Sequence, residues 1–372
     1  MQPSLLPTVS RRLPAPVALG AQKDIRYFGA EARGVLNGPE TTGMGFWSIN
    51  PYVGCAFGCA YCYARYTHRH VSERAVTELG NGHEASQSLL ELPDWLSFER
   101  RIFVKRNAAA VLRSQLASGG ARISRFLSGE TLLIGTATDP YQPAERRYRV
   151  TREVLEVLGA YRGLRIVITT KSPLVVRDVD LLARVASRSR VTVHVSLITT
   201  DRDLARRVEP RAPTPDARLQ AMRRLSEAGI DVGVNVMPIL PGITDRPDML
   251  RTLLRRVAEA GVSHVHACAL RLQPAARRRY LPFIVAEFPD LAARYRAAFA
   301  EEDHMSERYT HGLLRFMERT SREVGLPFHT LSNRAEAASP PDGNPATAAG
   351  SCADGASAIV ARTTQLDLGL SL

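Results

Sequence analysis

Short apolar runs alternate with segments of helical spacing from about residue 48 to residue 263. Runs at 131–136, 164–169, 191–198, 230–236 and 263–270 have the length and β-branched content of strands. Between them, 151–158, 179–187, 217–228 and 248–260 repeat apolar residues at helical spacing, and Gly229 and Gly261 stand where helix stops belong. Helices are also predicted over 107–116 and much of 291–324. Strand–helix alternation of this kind predicts parallel βαβ units. Three strands carry a further signal. Val191, Val193 and Val195 alternate with Thr192, His194 and Ser196; Val232, Val234 and Val236 with Asp231, Gly233, Asn235 and Met237; Val265, Ala267 and Ala269 with His264, His266 and Cys268. A sheet covered by helices on both faces reads apolar throughout. Here one face is polar, so it is expected to line a cavity inside an open or partial barrel, with the chemistry at the C-terminal strand ends. Residues 1–45, rich in Pro, Gly and Arg, show no sustained period and are expected to form an irregular arm. Residues 335–364 are mostly small and polar and lack the apolar surface to order themselves.

The most specific segment is 50–62, Asn-Pro-Tyr-Val-Gly-Cys-Ala-Phe-Gly-Cys-Ala-Tyr-Cys. Three of the five cysteines, Cys55, Cys59 and Cys62, fall within it, which is no disulfide framework. Their spacing suits a cubane iron–sulfur cluster, and no fourth cysteine lies nearby, which leaves one iron for a non-protein ligand. Gly54 and Gly58 let the loop wrap tightly. A zinc site that recruits His68 and His70, and plain structural thiols, are the competing readings.

The net charge of +12 comes mostly from arginine and suits a polyanionic partner such as nucleic acid, unless it reflects proteome bias alone. The exposed candidates for phosphate contact are Arg146, Arg147 and Arg149 with Tyr148, and the run Arg277, Arg278, Arg279; solvated surface charge is the plain alternative. No apolar run approaches membrane-spanning length, and Arg11 and Arg12 precede no apolar signal core, so a cytoplasmic protein is expected.

The Cys-x-x-x-Cys-x-aromatic-Cys pattern resembles the radical S-adenosylmethionine (SAM) signature. The resemblance runs from about residue 27 to 326 and is to the subfamily related to spore photoproduct lyase, often called photolyase-like. The segments that carry it are 50–67, 101–108, 135–145, 169–172, 195–199, 208–215 and 236–244. It implies a partial (β/α)6 barrel over 46–272, with a helical C-terminal extension over 273–332 and a disordered tail over 333–372. It also implies a 4Fe–4S cluster on Cys55, Cys59 and Cys62, SAM on the open iron, and reductive cleavage to a 5′-deoxyadenosyl radical that abstracts a hydrogen atom. A one-electron donor such as flavodoxin or ferredoxin is then required. The expected SAM contacts are Tyr61 beside the adenine, Thr136 and Asp139 after the first of the five strands, Lys171 and Ser196 at the carboxylate, and Asn235 at ribose or adenine. Each has a plain alternative: Asp139-Pro140 builds a turn, and the others are satisfied polar groups in a wet lumen. His194, His264 and His266 are expected to line the cavity or core rather than to hold metal. The spore lyase has a further cysteine, after its cluster motif, taken to return a hydrogen atom. Here none lies between Cys62 and Cys268, so Cys268, on the cavity face, is the one candidate for that catalytic role, and spore photoproduct itself is a doubtful substrate. A nucleic-acid substrate is the leading expectation; a peptide or metabolite, and a non-catalytic iron–sulfur sensor, are the rivals. Finally, Gln365, Leu366, Asp367, Leu368, Gly369 and Leu370 resemble the peptide by which bacterial repair and replication proteins dock on the sliding clamp, with Leu368 and Leu370 as groove anchors.

Overall fold

The computed structural model describes residues 14–330 apart from 44, 70–72 and 74–82. In chain order its strands are β1 (Val17–Gln22), β2 (Ile25–Ala30), β3 (Trp47–Ile49), β4 (Tyr52–Val53), β5 (Arg101–Lys105), β6 (Thr131–Ile134), β7 (Arg165–Thr170), β8 (Arg190–Ser196), β9 (Asp231–Ile239), β10 (His264–Ala269) and β11 (Phe328–His329). Seven of them form one sheet in the order β11-β10-β9-β8-β7-β6-β3, parallel at every pairing. The helices Val150–Leu158, Val179–Ala186, Pro215–Glu227 and Pro247–Glu259 supply the crossovers, each with its apolar face buried. Both ends of the sheet stay separate, which is the open, partial-barrel arrangement expected from the one-sided alternation.

The segment expected to be an irregular arm is not irregular throughout. The β1–β2 hairpin lies within it, and β2 pairs in parallel with β5, giving a second sheet in the order β1-β2-β5-β4. The sequence hides this hairpin for two reasons. β1 buries no residue, so it has no face to alternate, while β2 buries nearly every residue. Its partner β5 also lies far along the chain.

The main core fills the space between the parallel sheet and its helices, with Val193, Val195, Val232, Val234 and Val265 pointing into it. Thr192, His194, Ser196, Asn235 and His266 alternate with these valines and are also buried. They form rows across the strands: Thr169, His194, Gly233 and His264 in one, Ser196, Asn235, His266 and His329 in the next. A second apolar cluster joins Phe57, Cys59, Ala60 and Tyr61 to Tyr280, Phe283, Ile284, Tyr295 and Phe299 of the C-terminal helices Pro274–Glu287 and Ala292–Ala298 and the residue after them. The helical extension therefore covers the cysteine loop and shields it from water.

Candidate active site

The cysteine loop leaves β4 and is gripped from four directions. Phe98 accepts a bond from the Cys55 amide through its carbonyl, 2.9 Å. Gln142 receives the Ala56 amide at 3.0 Å and donates to the Gly54 carbonyl at 3.0 Å, where Thr138 also donates at 2.5 Å. Arg211 donates to the Ala56 carbonyl at 2.7 Å, and Arg65, wholly buried, donates to the Cys59 carbonyl at 2.7 Å. Arg65 is neutralised by Glu99 at 2.5 Å, so its burial leaves no bare charge. Gly54 and Gly58 have φ of 83° and 66°. A Cβ at Gly54 would lie 2.7 Å from the Phe98 carbonyl oxygen, and one at Gly58 2.5 Å from Arg211. Gly54 is required for conformation and for space, because backbone blocks its Cβ, whereas Gly58 is favoured by its conformation and by the place of Arg211.

Cys59 is buried and Cys55 and Cys62 are half-buried. Burial pushes the Cys59 thiol up to about 12, with Lys171 acting against the rise. Burial likewise raises Cys55, reinforced by Asp139 and the other two sulfurs. Three neighbouring thiols, each raised chiefly by burial, make a donor set that a cation would deprotonate and hold. They fit three corners of a 4Fe–4S cluster. His68, considered with His70 as a zinc partner, puts Nε2 on the Arg101 carbonyl at 2.9 Å and is buried and pushed down to about 4 by that burial. It is a core histidine. His70 lies outside the described residues.

Lys171 follows β7 and points at the loop. Its Nζ lies 3.9 Å from Glu209 Oε1 and 5.7 Å from the Tyr61 ring centre. Burial opposes its charge, but Cys59 and Glu209 outweigh burial and hold the ammonium. Glu209 is fully buried, accepts the Tyr61 hydroxyl and pairs with Arg218. Burial would raise this carboxyl, yet Arg218 and Lys171 bring it below the ordinary range. Glu209 and Arg218 carry no periodic signal, and the sequence reading assigned them no role. Glu209 falls in 208–215, which stands out only as a run of resemblance, and Arg218 falls in the helix expected over 217–228.

Asp139 holds the turn: Oδ1 accepts the Tyr141 amide at 2.9 Å and the Thr170 hydroxyl at 2.7 Å, and Oδ2 accepts the Lys171 amide at 2.7 Å. Its carboxylate thus fixes the backbone of Lys171. Thr136 Oγ1 receives Asn50 at 3.0 Å, and its carbonyl receives the Tyr63 hydroxyl. Ser196, the last residue of β8, sits beside Asn235 in the middle of β9. Asn235 Oδ1 is buried with no hydrogen-bond partner among the described residues, an acceptor suited to a bound molecule. Cys268 is half-buried, and its thiol is pushed up to about 12 by burial against the pull of Arg271.

Lys105 in β5 is 2% exposed and pushed down to about 8 by burial. Below pH 8 the lysine is charged in both the folded and unfolded chain, so the folded state bears the whole burial cost. Between pH 8 and the ordinary 10.5 that cost fades, and above it both states are neutral. Lys105→Met is therefore expected to stabilise the fold by up to roughly 3 kcal/mol at pH 7, the gain shrinking as pH rises from 8 to 10.5. Urea unfolding at pH 7, 9 and 10.5 measures it; a gain independent of pH contradicts the assignment.

The family model described as the radical SAM superfamily matches residues 49–254. An uncharacterised protein of Mycobacterium tuberculosis is 34% identical over 272 residues, covering 73% of this chain and 72% of that one. An uncharacterised protein of Acidianus two-tailed virus is 30% identical over 59% of this chain and 65% of its own length. Among solved structures, spore photoproduct lyase complexed with dinucleoside spore photoproduct aligns with a TM-score of 0.55 and 17% identity over 82% of this chain and 81% of that one. That likeness speaks for the fold. Among the described residues no helix is long and apolar enough to cross a membrane. A family model that runs from the end of β3 through β9 and into the helix before β10, more than half of the chain, and that contains the cysteine loop places this chain in the radical SAM superfamily, whose members use a 4Fe–4S cluster and SAM.

Proposed function

We propose that the protein is a radical SAM enzyme that acts on a nucleic acid, in repair or modification. The observation that carries the cofactor part of this reading is Lys171, held beside Cys59 by Glu209 and Tyr61 at the C-terminal strand ends. Bound there, the cluster and SAM supply a 5′-deoxyadenosyl radical for hydrogen abstraction. The chain's own residues do the rest. Cys55, Cys59 and Cys62 hold the iron, Lys171 and Ser196 meet the SAM carboxylate, and Tyr61, Thr136 and Asn235 surround its nucleoside. Asp139 positions Lys171 through its backbone. The apolar cover from Tyr280, Phe283 and Phe299 excludes water that would quench a radical.

Three features support a nucleic-acid substrate. The net charge is +12. Arg146, Arg147 and Arg149 are exposed directly after Gln142, which grips the cluster loop, and Arg147 stacks on Tyr148 at 5.3 Å. The solved structure above carries a dinucleoside photoproduct. Cys268 stays protonated near neutral pH, the form that has a hydrogen atom to return, and is proposed in that role. An external one-electron donor of flavodoxin or ferredoxin type completes the system. The clamp-docking peptide ending in Leu370 lies outside the described residues and is proposed on its sequence alone.

The decisive experiment is anaerobic reconstitution with SAM, dithionite and deuterated DNA or RNA, native and damaged. Deuterium arriving in 5′-deoxyadenosine from a nucleic acid supports the proposal. Cleavage of SAM with no transfer from any nucleic acid moves the substrate to a peptide or metabolite, and absence of 5′-deoxyadenosine leaves a sensor.

Lys171→Ala is expected to retain iron while weakening SAM by about 10- to 100-fold, the loss of one charge-assisted contact. Equilibrium binding measures it, and Lys171→Arg is expected to recover part of the affinity. Unchanged SAM affinity in the alanine variant removes Lys171 from the cofactor site.

A further inference from the structure

Across two neighbouring rows of the sheet, His194 and His264 in one and His266 in the row of Ser196 and Asn235, three imidazoles meet. The ring centres of His194, His264 and His266 are 4.9 to 5.1 Å apart, and one donor nitrogen from each lies within 4.8 Å of the others. His194 and His266 are buried and His264 is half-buried. A fourth ring, His329 on β11, stands 5.3 Å from His266 and 5.7 Å from His264. The three are drawn from β8 and β10, which flank β9.

Three details show how the rings are brought together. The residue of β9 between His194 and His264 is Gly233. A Cβ there would lie 2.4 Å from His264 Nε2 and 2.5 Å from His194 Cδ2, so the missing side chain is what lets the two rings meet across the middle strand. They do meet, with Nε2 to Nε2 at 2.8 Å. Behind His264 runs an oriented relay. Ser263 Oγ lies 2.6 Å from Asp231 Oδ1, and a carboxylate only accepts, so the serine proton goes to Asp231. Ser263 Oγ is then the acceptor for His264 Nδ1–H at 2.8 Å. This fixes the tautomer and leaves the Nε2 lone pair of His264 directed into the group. Thr192 donates to the other Asp231 oxygen at 2.7 Å and holds the carboxylate in place. A carboxylate behind an imidazole, through one hydroxyl, is the outer-shell arrangement that orients a metal-binding histidine and offsets the metal's charge.

We infer that His194, His264 and His266 form a second metal site, separate from the cysteine loop, for a first-row divalent cation suited to nitrogen ligands, with zinc as the reference ion. Two imidazoles on one tetrahedral zinc lie about 3.3 Å apart at bond lengths of about 2.0 Å, so His194 and His264 need to part by only about half an ångström. In that change His194 passes to its Nδ1–H tautomer, so the proton between the two Nε2 atoms moves to His194 Nδ1 and both Nε2 lone pairs turn to the ion.

The test uses the cluster-loaded full chain, equilibrated anaerobically with Zn2+ and desalted. It should retain about one zinc per chain beyond its iron. The zinc absorption edge should show nitrogen neighbours at about 2.0–2.1 Å and no sulfur at about 2.3 Å, which separates this site from zinc on the cysteines. His194→Ala and His264→Ala should lose that zinc while iron content is unchanged. Ser263→Ala should weaken it by about 10- to 100-fold. Gly233→Ala should do the same through the rings alone. If an alanine variant does not fold, the histidine-to-glutamine changes keep the volume and give the same reading. Sulfur-ligated zinc, no retained zinc, or zinc indifferent to all of these changes overturns the inference and leaves a stack of neutral histidines.

Discussion

Anaerobically reconstituted protein is expected to hold about four irons per chain with broad visible absorption, and Cys55→Ala, Cys59→Ala or Cys62→Ala each to hold essentially none. The effect is all-or-none because each sulfur is one of three protein anchors. The fold should survive each change. The loop amides and carbonyls are tied to Phe98, Gln142, Arg65 and Arg211 rather than to the sulfurs, so circular dichroism and urea midpoint should move little. Iron analysis and absorbance of the three variants check the expectation. Full iron in any one variant removes that cysteine from the ligand set, and stoichiometric sulfur-ligated zinc with no iron uptake in anaerobically purified wild type would falsify the cluster itself.

The second large effect lies at Glu209 and Arg218, which are 0% and 1% exposed in their side chains. Glu209→Ala leaves the Arg218 guanidinium buried without its partner, and such a stranded charge costs about 3–5 kcal/mol. Arg218→Ala leaves Glu209 with Lys171 at 3.9 Å and the Tyr61 hydroxyl, so its cost should be smaller. The double change Glu209→Leu with Arg218→Met removes both charges at similar volume and is expected to recover most of that stability. It should not recover SAM binding, because Lys171 and the Tyr61 hydroxyl lose the carboxylate that places them. Urea unfolding and SAM titration of the single and double variants separate the two roles. Stability that stays low in the double variant means the site depends on packing there and not on charge pairing.

The five central strands and their helices were legible because their information is local: short β-branched runs, an apolar face with period two in three of them, and a glycine at two of the helix stops. Gly229 and Gly261 indeed take φ of 75° and 77°. The cysteine loop was legible from spacing, since three ligands lie within one turn of chain. What stayed hidden is contributed by distant partners. β2 and β5 are paired across 75 residues of sequence, and β11 is two residues long. Arg218 lies on Pro215–Glu227, where an arginine ordinarily faces water, and only the fold brings it to Glu209. Asp139 was read both as a cofactor contact and as a turn former. Its oxygens are engaged by Tyr141, Thr170 and Lys171, which is the turn reading with a purpose added. The polar faces of β8 and β10 were expected to line a cavity, and nothing in alternation shows that Gly233 lets two of their histidines touch.

The grip on the cysteine loop also sets an order of events in maturation. A loop whose shape depended on iron would be ordered only after metal arrived, and the apo chain would fold late or not at all. Here the conformational entropy of the loop is spent when Phe98, Gln142, Arg65 and Arg211 close on it. The chain can finish folding first and wait as a rigid host, with half-buried Cys55 and Cys62 as the doorway and buried Cys59 as the floor. Cluster insertion then becomes a docking event on a finished protein, and a cluster lost to oxygen can be replaced without unfolding its owner.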